Sequence, residues 1–153
     1  MFEQIKEFFR SVVVGDENGG DRREHEVRVA SAALLFHIIE ADGIVTDEER
    51  QRLIDVLGGE FGLSVTEAER LAGEGKLADQ QSVDLYQFTS VLKRELGEDH
   101  RIRFVELLWE VTYADGEVHE LEDNLIWRIS ELLGVSTRER MLMKHEAAGR
   151  KSG

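Results

Sequence analysis

The triplet Ala41-Asp42-Gly43 returns as Ala114-Asp115-Gly116, 73 residues further along the chain. Each copy follows a strongly apolar run: Leu34, Leu35, Phe36, Ile38 and Ile39 before the first, and Leu107, Leu108, Trp109 and Val111 before the second. Six residues after each glycine stands a glutamate, Glu49 or Glu122, and each copy then runs on to a Gly-Leu-Ser or Gly-Val-Ser step at residues 62–64 and 134–136. That last landmark is offset by 72 residues, so the second copy is one residue shorter. This is an internal repeat of a helix–acidic turn–helix unit.

The unit is helical. Residues 24–42 are apolar or small on nearly every side, as are residues 100–114, and a helix apolar on most sides belongs at the centre of a domain. These two helices are expected to form the core pair. After each triplet a second helix starts. Thr46-Asp47-Glu48-Glu49 reads as a capping box in which Thr46 caps and Glu49 reaches back. In the second copy His119 stands where Thr46 stands, which weakens that cap. Ser64–Glu67 and Ser136–Glu139 read as two further capping boxes, each opening the third helix of its copy. Ser82–Leu96 reads as a linking helix, punctuated by Gly73, Gly75 and Gly97. Residues 2–14 carry Phe2, Ile5, Phe8, Phe9, Val12 and Val13 at helical spacing and predict an amphipathic helix docked on the body. Gly15–Glu24 reads as a polar linker, and Gly149–Gly153 as a frayed tail. The chain contains no proline. The expected fold is all-α: one compact helical domain of about eight helices, built from two pseudo-symmetric helix–acidic turn–helix repeats. Its boundaries read as 1–20 for the N-terminal helix and linker and 25–147 for the helical domain.

Composition removes several functions. No cysteine is present, so there is no disulfide frame, thiolate metal site or thiol nucleophile. A net charge of −13 opposes binding to nucleic-acid phosphates and favours cationic partners. No apolar run approaches the ~20 residues of a membrane span. Two glutamates interrupt the N-terminal apolar run, which argues against a signal peptide. The polar face of that segment has no net positive charge, which argues against membrane contact. The chain reads as cytoplasmic, with a protein as the expected partner.

The acidic turns have two readings. In the first, Asp-Gly is a helix stop, with glycine in the left-handed C′ position, and Glu49 and Glu122 are first-turn carboxylates favoured by cap and dipole. In the second, Asp42, Glu49, Asp115 and Glu122 form a divalent-cation site. Asp42 and Asp115 close core helices, where orphan carbonyls disfavour a carboxylate, and carboxylates beside carbonyls make a hard oxygen site for Ca²⁺ or Mg²⁺, with Zn²⁺ a poorer fit. The spacing matches the back half of an EF-hand loop. The front half is absent, because its ligand positions hold Ile38 and Glu40, then Val111 and Tyr113.

At HIIEADGIVTDEERQRLIDVLGGEFGLS and ELLWEVTYADGEVHELEDNLIWRISELLGVS the chain resembles the tellurite-resistance protein B (TerB-like) family, which is related to the N-terminal domain of the DjlA co-chaperone. The resemblance spans about residues 25–147. It implies an all-helical fold in two related halves and a non-catalytic role in tellurite and other stress responses. It also implies metal binding at Asp42 and Glu49, then Asp115 and Glu122. The alternative is a protein-interaction module in which the acidic turns are structural.

Other candidates carry less. None of the five histidines forms an HExxH or similar pair. His37 reads as an interior residue, and His119 as the best added ligand. Gly73-Glu74-Gly75-Lys76 lacks the spacing of a phosphate loop. Trp109 and Trp127 read as packing residues. His100-Arg101-Ile102-Arg103 reads as a solvated basic face. No serine, histidine and aspartate stand in a catalytic pattern, so the chain is not read as an enzyme.

Overall fold

The computed structural model describes residues 17–41, 43–113, 118 and 120–152. They form seven helices: α1 (Glu17–Ile39), α2 (Asp47–Phe61), α3 (Val65–Gln81), α4 (Tyr86–Glu95), α5 (Glu98–Thr112), α6 (Glu120–Leu133) and α7 (Thr137–Ser152). No strand occurs among them, so the all-α expectation holds. The amphipathic helix expected at 2–14 lies outside the described residues.

Hydrophobicity on all sides makes α1 the axis of the molecule. Ala32, Ala33, Leu34, Leu35 and Ile38 are fully inaccessible, and Val27, Ala30, Phe36 and Ile39 nearly so. The helix packs on α2, α3, α4, α5 and α6. Helix α5 is the second buried element, with Val105, Leu108, Trp109 and Val111 all at 0% exposure. The two helices touch, as expected of a core pair. Yet the most extensive contacts of α1 are with α3, and those of α5 are with α7, the third helix of the same copy in each case.

The Gly-Leu-Ser and Gly-Val-Ser landmarks are matching corners. Gly62 and Gly134 both adopt left-handed φ, 66° and 74°. The next N–H reaches back over each helix end, from Leu63 to Gly58 O at 3.0 Å and from Val135 to Ser130 O at 2.9 Å. This is the Schellman stop, which needs a residue free of Cβ strain at the turn and an apolar one after it. The serine then caps the following helix. Ser64 Oγ accepts from Glu67 N, and Ser136 Oγ from Glu139 N, both at 3.1 Å. Both capping boxes close, since each glutamate carboxylate accepts from its serine N–H.

Six local readings are corrected. Residues 17–24, expected as linker, are the first turns of α1: one long buried helix tolerates two early glycines once its remaining length is packed. Gly73 and Gly75 do not punctuate a loop, because both lie inside α3, and Gly75 is buried against α1. The linking helix starts at Tyr86, after an unwound Ser82–Leu85. Residues 149–152 continue α7 rather than fray. Trp109 is core, but Trp127 is 50% exposed, and Leu121, expected to face inward, is 55% exposed. Both of these lie on α6, whose buried stripe runs through Glu122, Ile126, Ile129 and Leu133 instead.

Candidate functional site: the acidic corners

The first corner forms where α1 runs out. Glu40 N–H donates to Phe36 O at 3.0 Å and Gly43 N–H to Glu40 O at 2.8 Å, with Gly43 at φ 82°. Glycine therefore takes the left-handed position that a side chain would strain. Three residues later Thr46 begins the next cap. Its Oγ1 accepts from Glu49 N at 3.1 Å, and its own N–H and hydroxyl donate to Glu49 Oε1 at 3.0 and 3.2 Å. The capping box expected from sequence is present in full, and it engages one oxygen of Glu49.

Glu49 is 2% exposed and Glu122 only 1%, an unusual depth for glutamates in the first turn of a helix. A buried carboxylate is costly unless hydrogen bonds or charges compensate it. For Glu49 the Thr46 bonds supply part of that compensation. Asp42, Asp115 and His119, the other residues assigned to these corners, lie outside the described residues. Among the described residues, no group of three or more His, Asp or Glu side chains gathers closely enough to hold a metal ion.

A second polar cluster escaped the sequence reading. Arg103, in the segment read as a solvated basic face, has a side chain only 15% exposed and sits among three carboxylates. It donates to Glu106 at 2.6 Å and Glu110 at 3.5 Å, its neighbours along α5, and to Glu60 of α2. Burial pushes the Glu110 carboxyl above the usual glutamate range, and the Glu60 charge adds to this, while Arg103 and Arg52 oppose it. The spacing of Arg103, Glu106 and Glu110 on one helical face was visible in the sequence. The Glu60 contact, 43 residues away, was not. The cluster clamps α2 to α5.

His37 departs modestly from expectation. Its ring is about one-third exposed, and Nδ1 lies 2.8 Å from Oδ1 of Asp79 on α3, a carboxylate that is itself nearly buried. His25 pairs with Glu74 in the open. These pairs tie α1 to α3.

The profile of the family described as Tellurite resistance protein TerB matches residues 28–145, well over half of the chain. The chain belongs to the TerB family. Three relatives are co-chaperone proteins DjlA of Vibrio species. That of Vibrio vulnificus strain YJ016 is 29% identical, across 93% of this chain and 50% of the relative. Those of Vibrio parahaemolyticus serotype O3:K6 and Vibrio cholerae serotype O1 are 32% and 29% identical, across 84% and 93% of this chain and 46% and 51% of theirs. The chain thus spans about half the length of the curated relatives it matches. No solved structure matches it at a significant level. The TerB match covers both acidic corners and the Arg103 cluster. No described helix is long and apolar enough to cross a membrane.

Proposed function

We propose that this TerB-family chain is a non-catalytic stress-response module of the tellurite-resistance type, and that its acidic corners take up a divalent cation through Asp42 and Glu49, and through Asp115 and Glu122. The observation that carries the reading is the burial of Glu49 and Glu122 at equivalent places in the repeat, to 2% and 1% exposure. Carboxylates are the oxygen donors that Ca²⁺ or Mg²⁺ prefers, with Zn²⁺ a poorer match.

The test is thermal unfolding of the full chain with and without each of the three ions. A cation that binds only the folded state adds about 2.7 kcal/mol at a hundredfold excess over its Kd. The expected result is a higher Tm with Ca²⁺ or Mg²⁺, lost in Asp42→Asn/Asp115→Asn. An unchanged Tm with every ion would overturn the cation reading.

A second reading has its own support. Glu49 Oε1 accepts from both the N–H and the hydroxyl of Thr46, which is a structural duty. The relatives that match are co-chaperones by name. On this reading the chain is a protein-interaction module and the corners only shape the helices. Unchanged thermal stability with metal, together with a large loss in Thr46→Ala, is the result that favours it.

A further inference from the structure

A cleft of about 410 Å³ opens between the last turn of α1, the middle of α2 and the middle of α3, well inside the ~300–1,000 Å³ span of small-molecule sites. Val45, Ile54 and Ala72, half-buried, supply most of its apolar surface above the buried Phe36, Ile39 and Leu53, and Arg50 from α2 and Lys76 from α3 also line it. Glu69 also lines it, so two cations face one carboxylate. In a chain of net charge −13 that local excess of positive charge is against the trend.

The two cations differ from those of the chain that are ion-paired. Arg28, Arg94, Arg103 and Lys144 each meet a carboxylate. Among the described residues neither Arg50 nor Lys76 has a carboxylate at ion-pair distance. Lys76 Nζ instead stands 5.8 Å from the centroid of the Phe36 ring, over the apolar surface of the cleft. A third feature keeps the cleft open. Gly73 lines it from the interior of α3, and a Cβ built there would meet nothing within 4 Å. A glycine inside a helix weakens that helix, and here no close approach requires one.

We propose that this cleft binds a small amphipathic carboxylate, its apolar chain or ring on Val45, Ile54 and Ala72 and its charge between Arg50 and Lys76. Apolar burial supplies affinity, and the cation pair chooses the sign of the head group. Another groove, between α1, α3 and α4, is lined by Glu26 and Glu74 with His25, and offers an anion no such pair.

The probes are octanoate, neutral octan-1-ol and octylammonium, titrated into isotope-labelled full chain and read by amide chemical shift. Octanoate is expected to give saturable shifts at the cleft residues, octanol weaker ones and octylammonium none. Lys76→Glu, at an exposed position, is expected to weaken octanoate about ten-fold, roughly the change from one attractive to one repulsive half-exposed pair. Gly73→Leu is expected to abolish binding by filling the cleft while leaving the helical circular dichroism intact. Equal binding of octanoate and octylammonium to the wild-type chain, shifts centred away from the cleft, or full octanoate affinity in Gly73→Leu would each overturn the proposal. The wild-type comparison of head groups decides the matter even if a variant misfolds.

Discussion

Gly75 of α3 lies so close to Ala32 of α1 that a Cβ at position 75 would stand 2.5 Å from the Ala32 Cβ, and 2.6 and 2.8 Å from backbone atoms of Ala32 and Ala33. The two longest helices of the first repeat cross here at nearly bare backbone. Two of the three obstructing atoms are main chain, so no rotamer change can relieve the clash.

Gly75→Ala should therefore destabilise the protein. Helix propensity favours alanine by about 0.5–1 kcal/mol, but overpacking costs about 1–3 kcal/mol, and rigid backbone places this site toward the upper end. Gly73→Ala, two residues away, meets nothing and should stabilise by about 0.5–1 kcal/mol. Denaturant unfolding of both variants checks the pair, and the opposite signs are the signature.

Thr46→Ala removes the acceptor for Glu49 N and, with the hydroxyl, one of the two donors to a buried carboxylate, while the backbone N–H stays. The loss should be about 1–2 kcal/mol. Ser64→Ala, whose partner Glu67 is exposed, should cost less. The Ser64 box also has a pH signature. The Ser64 N–H first, and its hydroxyl second, hold the Glu67 carboxyl below the usual glutamate range. A depressed folded pKa gives stability that is present above the unfolded value, about 4.3, and is lost as pH falls through the folded one. A carboxyl NMR titration should show Glu67 moving only part of the way back to its ordinary value in Ser64→Ala, which loses the hydroxyl but keeps the backbone N–H.

The three capping boxes were legible because a cap is settled within four residues of sequence. The Gly-Leu-Ser and Gly-Val-Ser stops were legible for the same reason. Gly75 and Arg103 were misread because their roles depend on distant partners: Ala32 in one case and Glu60 in the other. A glycine inside a helix and a glycine ending one look alike until the facing helix is known. Likewise His-Arg-Ile-Arg looks basic until three glutamates close around the second arginine. Trp127 and Leu121 failed because α6 is apolar on more faces than it buries. Of the acidic corners, the sequence located the Thr46–Glu49 cap and the Gly43 turn. The depth of Glu49 and Glu122 was not readable, since first-turn glutamates ordinarily face water.

Arg103→Met should be severely destabilising, by about 3–5 kcal/mol, because it leaves Glu60 and Glu106 buried without their cation. Arg103→Lys should rescue only part of this, since one ammonium cannot reproduce the forked contacts with three carboxylates. Thermal unfolding against pH separates charge from packing: the deficit of Arg103→Met should shrink in acid, where the glutamates protonate.

Glu110→Gln should act in the opposite direction. Burial raises the folded pKa of Glu110, so its contribution is fully present below the unfolded value of about 4.3 and is lost as pH rises through the folded one. At neutral pH the charged form strains the cluster. The amide should therefore raise Tm near neutral pH and leave it unchanged well below the glutamate pKa.

The clamp of Arg103 on Glu60 joins the last turn of α2, in the first sequence copy, to α5, in the second. Cut between the copies and each piece inherits a stranded charge: a glutamate without its guanidinium on one side, a guanidinium missing a carboxylate on the other. The period written into the sequence is therefore not a seam along which the protein can be divided. A solitary copy should need a second copy to pair with before it folds.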